Sequence, residues 1–191
     1  MQDRLCLFMV YTFCCGPPLL GRIVHIPSLS WEKTAVDAWH PFHIVLVEPE
    51  IPPNTGNIAR LCGATRTVLH LVGKLGFSTD DRYLKRAGLD YWHEVEIHYW
   101  QDLEGLRKAY PGARLVYTSK KASRSHAAFT FREGDFIVFG KETTGLPEEL
   151  ISENLDRSVR IPIFSTVRSL NLSTAAGIVL YEALRQTGRL G

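Results

Sequence analysis

The chain reads as one α/β domain built on a parallel sheet covered by helices on both faces. Five short apolar runs predict the sheet. They lack the polar alternation of a half-exposed strand and instead have the continuous apolar character of strands covered on both sides. Stretches with helical spacing separate the runs. Strands that alternate with helices need the crossover connections of a parallel sheet. Size agrees: 191 residues, 45% hydrophobic and 22% charged, make an ordinary globular composition with room for a sizeable core.

The first run is His43-Ile44-Val45-Leu46-Val47 and the second Val68-Leu69-His70-Leu71-Val72. Arg114 to Thr118 is the third, Asp135 to Phe139 the fourth, and Ser158 to Pro162 a shorter fifth. Helices are predicted over roughly 56–66, 80–87, 101–109 and 172–187. The last carries apolar residues at Ala176, Val179, Leu180, Ala183 and Leu184, with Gly188 as its stop. The chain contains no internal repeat and no low-complexity segment.

Residues 1–41 have a different character. Leu5 to Cys15 is mostly apolar, then Gly16-Pro17-Pro18 leads into an irregular stretch ending at Trp39-His40-Pro41. Arg4 ahead of an apolar run has some likeness to a signal peptide, but Asp3 precedes it and no small-residue cleavage pattern is clear. The expectation is a poorly ordered, non-core extension or an over-long start, with the folded domain spanning 42–191. The extension is charge-neutral: Arg4, Arg22 and Lys33 balance Asp3, Glu32 and Asp37.

The net charge of +2 does not announce a nucleic-acid partner, so such binding must come from local clusters. Cys6, Cys14, Cys15 and Cys62 form no spaced metal pattern with the seven histidines, and no metal is expected. No apolar run reaches the ~18 residues of a membrane span. The expectation is a reduced, cytoplasmic protein with no disulfide framework and no membrane partner.

Three segments place polar groups and flexible backbone beside apolar runs, where an α/β protein builds its site. Glu48-Pro49-Glu50-Ile51-Pro52-Pro53 leaves the first strand with a proline-stiffened loop. Asn54 or Thr55 can then cap the next helix, Gly56 permits close backbone approach, and Arg60 follows in the second turn. In Phe139-Gly140-Lys141-Glu142-Thr143-Thr144-Gly145-Leu146, Gly140 stands at a strand end where a bulky side chain would block a ligand. This segment has no Walker A ending and no G-x-G-x-x-G, so a conventional phosphate-cradling site is unsupported. Arg168-Ser169-Leu170-Asn171-Leu172-Ser173 opens the final helix with more hydrogen-bonding groups than one cap requires. The bland readings are a surface arginine, a solvated turn acid and a redundant cap. Together the segments point to one composite site for a polar, anionic or nucleotide-like ligand.

Basic residues cluster at Arg82/Lys85/Arg86 and at Lys120/Lys121/Arg124, with Arg132 beyond. Such clusters are usually solvated faces, but here they border the strand ends, and phosphate binding would use them. Tyr83, Tyr91, Trp92, Tyr99 and Trp100 read as core or interface aromatics.

Taken in order, N-x-G-N-x-x-R (Asn54 to Arg60), F-G-x-E-x-x-G-L (Phe139 to Leu146) and I-P-x6-S-L-N-x-S (Ile161 to Ser173) resemble the SPOUT superfamily of knotted RNA methyltransferases. Glu48 to Asn57, Arg86 to Tyr91 and the glycine block at 139–147 look like its small single-domain branch, the TrmL-type tRNA (cytidine/uridine-34 2′-O)-methyltransferases. The resemblance covers about residues 42–191. It implies a trefoil knot in the C-terminal third, a homodimer, and S-adenosylmethionine bound bent within the knot. It implies methyl transfer to the ribose 2′-OH of the wobble nucleotide, with the tRNA anticodon stem-loop as partner.

By position, Thr118, Gly140, Ile161 and Ser169 match cofactor-contacting positions, with Leu170 adjacent. Arg60 matches the arginine that helps activate the ribose hydroxyl, and Asn54, Glu142, Ser169 and Asn171 match the other polar site positions. RNA contacts fall to Arg86, Lys120, Lys121 and Arg124. A guanidinium is a weak base because its pKa lies above ~12, so an electrostatic role for Arg60 is favoured. Ala64-Thr65-Arg66-Thr67 lacks the glycine usual after the helix, and Gly73-Lys74 replaces a proline-containing turn. Two alternatives stand beside this reading: methylation of another tRNA or ribosomal position, and a non-catalytic knotted RNA-binding protein. For the homodimer, the apolar face of helix 172–187, with Tyr181, is expected to pack on the second subunit.

Overall fold

The computed structural model of the chain describes residues 40–77, 95–164 and 166–190. Its strands are β1 (His43–Val47), β2 (Val68–Val72), β3 (Ile97–Trp100), β4 (Leu115–Thr118), β5 (Arg124–Ser125), β6 (Phe136–Phe139) and β7 (Ser158–Arg160). Its helices are α1 (Pro52–Thr65), α2 (Leu103–Ala109), α3 (Glu148–Ser152) and α4 (Leu172–Gln186). Among the described residues the strands form one sheet in the order β3-β2-β1-β6-β4-β7-β5. Every pairing is parallel.

The two-sided burial expected of parallel strands is realised by alternate residues. Ile44, Leu46, Leu69, Leu71, Ile137, Phe139 and Val159 face Ile58 and Cys62 of α1 and the apolar stripe of α4. Val45, Val72, Tyr117, Phe136 and Val138 face the opposite way, against Leu106 of α2 and Ile151 of α3. All of β2 and β6 is buried.

Local details depart from the sequence reading in informative ways. Pro52 and Pro53 do not merely stiffen a loop; they occupy the first positions of α1, where a missing N–H costs nothing. The N-cap is Ile51, not Asn54 or Thr55, and its side chain makes no capping bond. Strand β3 was not anticipated, because Ile97-His98-Tyr99-Trp100 lacks a continuous apolar run; it lies at the sheet edge beside β2. The fifth anticipated strand ends at Arg160, two residues early, which leaves Ile161 outside the sheet. The short β5 and α3 carry too few residues for a periodic signal. The helix expected over 80–87 lies outside the described residues.

Helix α4 ends as expected, with Gly188 at φ 71° beyond it. However, its apolar stripe is not available to a second subunit. Ala176, Val179, Leu180, Ala183 and Leu184 are buried in the chain's own core. Ile178 and Tyr181, at 36% and 47% exposure, are what α4 offers outward. After α1, where glycine is usual, Arg66 adopts the left-handed conformation itself at φ 51°, and its N–H donates to the Cys62 carbonyl.

Candidate active site

The carboxyl ends of β1, β4, β6 and β7 open onto a cavity of about 720 Å³. Ligands of open parallel sheets bind at such strand ends, where successive crossovers leave in opposite directions. Here β1 continues to β2 on one side and β6 neighbours β4 on the other. Four segments line the cavity: Val47 to Asn54 in part, Thr118 to Lys121, Phe139 to Glu148, and the stretch from Val159 to the first turns of α4.

A chain of hydrogen bonds joins the three sequence blocks. The Glu142 carboxylate accepts from the Glu50 N–H at 2.8 Å, the Ile51 N–H at 3.3 Å and Asn54 Nδ2 at 2.9 Å. It therefore ties down, from far along the chain, the N–H groups just ahead of α1, and its negative charge suits the positive end of that helix. Asn54 Oδ1 in turn accepts from Asn171 Nδ2 at 2.8 Å. Asn171 is the N-cap of α4: its Oδ1 accepts from the Ser173 N–H at 2.9 Å and the Ser173 hydroxyl at 2.7 Å. Asn54 is only 5% exposed, so its amide is committed to this bridge.

Bonds on either side of Glu142 hold the same two loops together. Lys141 Nζ pairs with Glu48 Oε2 at 2.6 Å. The Thr143 N–H and hydroxyl donate to Glu50 Oε2 at 3.2 and 2.8 Å. Each of residues 141–143 thus engages the segment after β1. Glu48 and Lys141 both line the cavity and were not singled out from sequence; each sits inside a matched block, but nothing local shows that they pair.

Gly140 lies at the end of β6, as expected, but for a different reason. A Cβ there would overlap the backbone of Gly145 and Leu146. The loop doubles back over Gly140: Lys141 and Gly145 form an antiparallel bridge, and Gly145 adopts φ 74°. The glycine is needed first to fold the loop, and only then to bare backbone to a ligand. A Gly140→Val variant is therefore not a clean probe of ligand binding.

Of the residues assigned from sequence, Asn54, Glu142, Ser169 and Asn171 all line the cavity, as do Thr118, Gly140, Ile161 and Leu170. The Thr118 hydroxyl donates to the Val138 carbonyl at 2.8 Å, which ties β4 to β6 beside the cavity. Lys120 and Lys121 are exposed and line it too, with Lys121 paired to Glu148 at 2.7 Å. Arg124 is not among the lining residues; it donates to the Asp156 carbonyl at 3.2 Å and lies over the Phe129 ring. Arg86 lies outside the described residues. Arg60 is exposed on α1 and is not among the lining residues. Six residues beyond Asn54, it stands about 9 Å along the helix and about 240° around it.

The cavity suits a nucleoside-sized ligand. Its volume falls within the roughly 300–1,000 Å³ usual for such sites. Phe139, Leu146, Ile161, Leu170 and Val179 give apolar walls beside polar loop backbone. Among the described residues no group of three or more His, Cys, Asp or Glu is placed to hold a metal ion, and no helix is long and apolar enough to cross a membrane.

Comparison with known proteins supplies a second line of evidence. Residues 41–181 match the SpoU rRNA methylase family. A protein of Methylovorus glucosotrophus (strain SIP3-4), named tRNA (cytidine(34)-2′-O)-methyltransferase, is 50% identical over 146 residues, covering 76% of this chain and 95% of that one. A structure solved in a study of "the 2-OH methylation of C/U34 on tRNA" superposes with a TM-score of 0.73 at 43% identity, over 78% of this chain and 97% of that one. An AdoMet-bound rRNA methyltransferase from Sinorhizobium meliloti matches with a TM-score of 0.64 at 27% identity, over 76% of this chain and 58% of that one.

Proposed function

The chain belongs to the SpoU rRNA methylase family, and from that premise we propose that it methylates the ribose 2′-OH of cytidine 34, the wobble nucleotide of tRNA, using S-adenosylmethionine. The observation that carries this reading is the Glu142–Asn54–Asn171 chain at the wall of a nucleoside-sized cavity. The choice of nucleotide rests on the relative named for that reaction at 50% identity.

S-adenosylmethionine supplies an electrophilic methyl group on a sulfonium. Thr118, Gly140, Ile161, Ser169 and Leu170 hold it from the loops after β4, β6 and β7, where they line the cavity. The ribose hydroxyl is a poor nucleophile, so the protein's task is alignment, which can supply of order 7–11 kcal/mol when ideal. Asn54, Glu142 and Asn171 perform it indirectly. Their groups bond to one another and fix the relative position of the two loops and the start of α4. Ser169 is exposed at the cavity edge, two residues before Asn171. Arg60, outside the cavity, acts electrostatically on the RNA rather than as a base. Lys120, Lys121, Arg124 and Arg86 contact RNA phosphates.

The fuller reading extends to uridine at position 34 and to the anticodon stem-loop as the bound element. It takes residues 42–191 as the catalytic domain, with 1–41 outside it, the C-terminal third as a trefoil knot, and the cytoplasm as the site of action. A homodimer forms through the outward face of α4, for which the exposed Ile178 and Tyr181 are the available apolar contacts. Light scattering at micromolar concentration tests that assembly; a monomer removes it.

Mass spectrometry of tRNA nucleosides from cells with and without the protein tests the function. The expected result is 2′-O-methylcytidine at position 34 that disappears with the protein. A ribosomal target, favoured by the family's description, predicts unchanged tRNA and a missing methyl group in rRNA.

A further inference from the structure

We infer that Lys141 and Glu48 form the subsite for the amino-acid end of the cofactor, with the ammonium of Lys141 facing its carboxylate and the carboxylate of Glu48 facing its ammonium. This rests on the proposed use of S-adenosylmethionine. That ligand carries a zwitterion at one end, and a matched pair of opposite charges in the cavity wall is its complement.

Few charged groups of the lining fit this task. The Glu142 carboxylate is already engaged by three donors. Lys121 and Glu148 also form a pair in the lining, but at 56% and 73% side-chain exposure they stand in the solvent, where screening weakens them. Lys141 and Glu48, at 34% and 42%, are more enclosed and follow the adjacent central strands β6 and β1. Their mutual bond adds little to folding, so exchanging it for bonds to a ligand zwitterion costs little.

The backbone of Glu48 gives independent support. It adopts φ 48°, a conformation uncommon in a residue with a side chain. Its N–H donates to the Val72 carbonyl at 2.8 Å, and its side chain runs over Gly73, where a Cβ would come within 2.8 Å of Glu48 Cγ. The chain thus maintains a strained residue packed on Gly73, itself at φ 80°, and the carboxylate it carries lines the cavity. Strain of this kind concentrates at ligand contacts.

Calorimetry with the full chain and two ligands tests the subsite. S-adenosylhomocysteine carries the amino-acid end, and 5′-methylthioadenosine lacks it. Lys141→Ala is expected to weaken S-adenosylhomocysteine at least about tenfold and to leave 5′-methylthioadenosine within about twofold, the loss typical of a charge-assisted bond. Glu48→Gln should show the same asymmetry, and it decides the matter if Lys141→Ala melts early. Lys108→Ala, exposed on α2 away from the cavity, should leave both ligands unchanged. Parallel loss of both ligands means the pair only braces the loop, and no loss of either means it lies off the subsite; both outcomes overturn the inference. A parent protein that binds neither ligand would instead remove the cofactor assignment itself.

Discussion

Asn54 is the residue at which the three segments of the site meet, since it donates to Glu142 and accepts from Asn171. Replacing it by aspartate keeps the shape but turns the donor toward Glu142 into a second carboxylate. Asn54→Asp should lower stability by about 1–3 kcal/mol at neutral pH. Part of that loss should return under mild acid, where the two carboxylates share a proton. Urea titrations at two pH values give the answer, and an unchanged midpoint would show that the bridge is dispensable. Arg60 makes a contrasting case because it does not line the cavity. Arg60→Ala should reduce single-turnover methyl transfer at least about tenfold while S-adenosylmethionine affinity stays within about twofold. Arg60→Lys should rescue little, since lysine lacks the planar fork. Near-parent transfer by Arg60→Ala would end its catalytic assignment.

At the scale of elements, α1 shows how distant parts of the chain complete a local structure. Its prolines start it, a carboxylate from the loop after β6 holds the N–H groups just ahead of it, and Arg66 ends it in a left-handed turn at φ 51°. The missing glycine, legible in the sequence, therefore did not change the turn; the arginine adopts it at a steric cost. Arg66→Gly should remove that strain, partly offset by the greater freedom of glycine in the unfolded chain, for a net gain of about 0.5–1 kcal/mol. Chemical denaturation measures this directly, and a destabilised variant would show that the arginine side chain contributes more than its backbone costs.

The whole molecule carries a second polar cluster at the other end of the central strands. His43 begins β1, and its Nδ1 lies 2.9 Å from Nε2 of His70, whose Nδ1 accepts from Trp100 Nε1 at 3.0 Å. Phe136 stacks on His43, and Tyr110 meets the edge of His70. Burial, followed by the nearby His40, lowers the His43 pKa to about 4; burial, followed by His43, lowers that of His70 to about 3. Both rings are therefore neutral in the folded state at pH values where the unfolded chain binds protons. Their contribution is fully present above an unfolded pKa near 6.5 and is lost as pH falls from there toward 4. Loss of the two rings' contribution should lower stability by about 4 kcal/mol between pH 7.5 and pH 5. Urea midpoints across that range check it, and a flat profile would mean that the cluster opens to water without unfolding.

The sequence by itself determined the class of fold and much of the site's membership. Continuous apolar runs at His43, Val68 and Phe136 can only be buried on both faces, and the polar blocks that follow them must stand at strand ends. Those inferences depend on near neighbours in the chain, which a sequence displays. Only the tertiary structure decided which side chains meet. Nothing near Ile51 indicates that its N–H is bound by Glu142, and nothing near Lys141 points to Glu48. Strand β3 and the outward face of α4 were likewise settled by partners far along the chain. The physical reason is range. Backbone preference and hydrophobic period act over a few residues, whereas caps, ion pairs and shared faces join groups that only the closed sheet brings together.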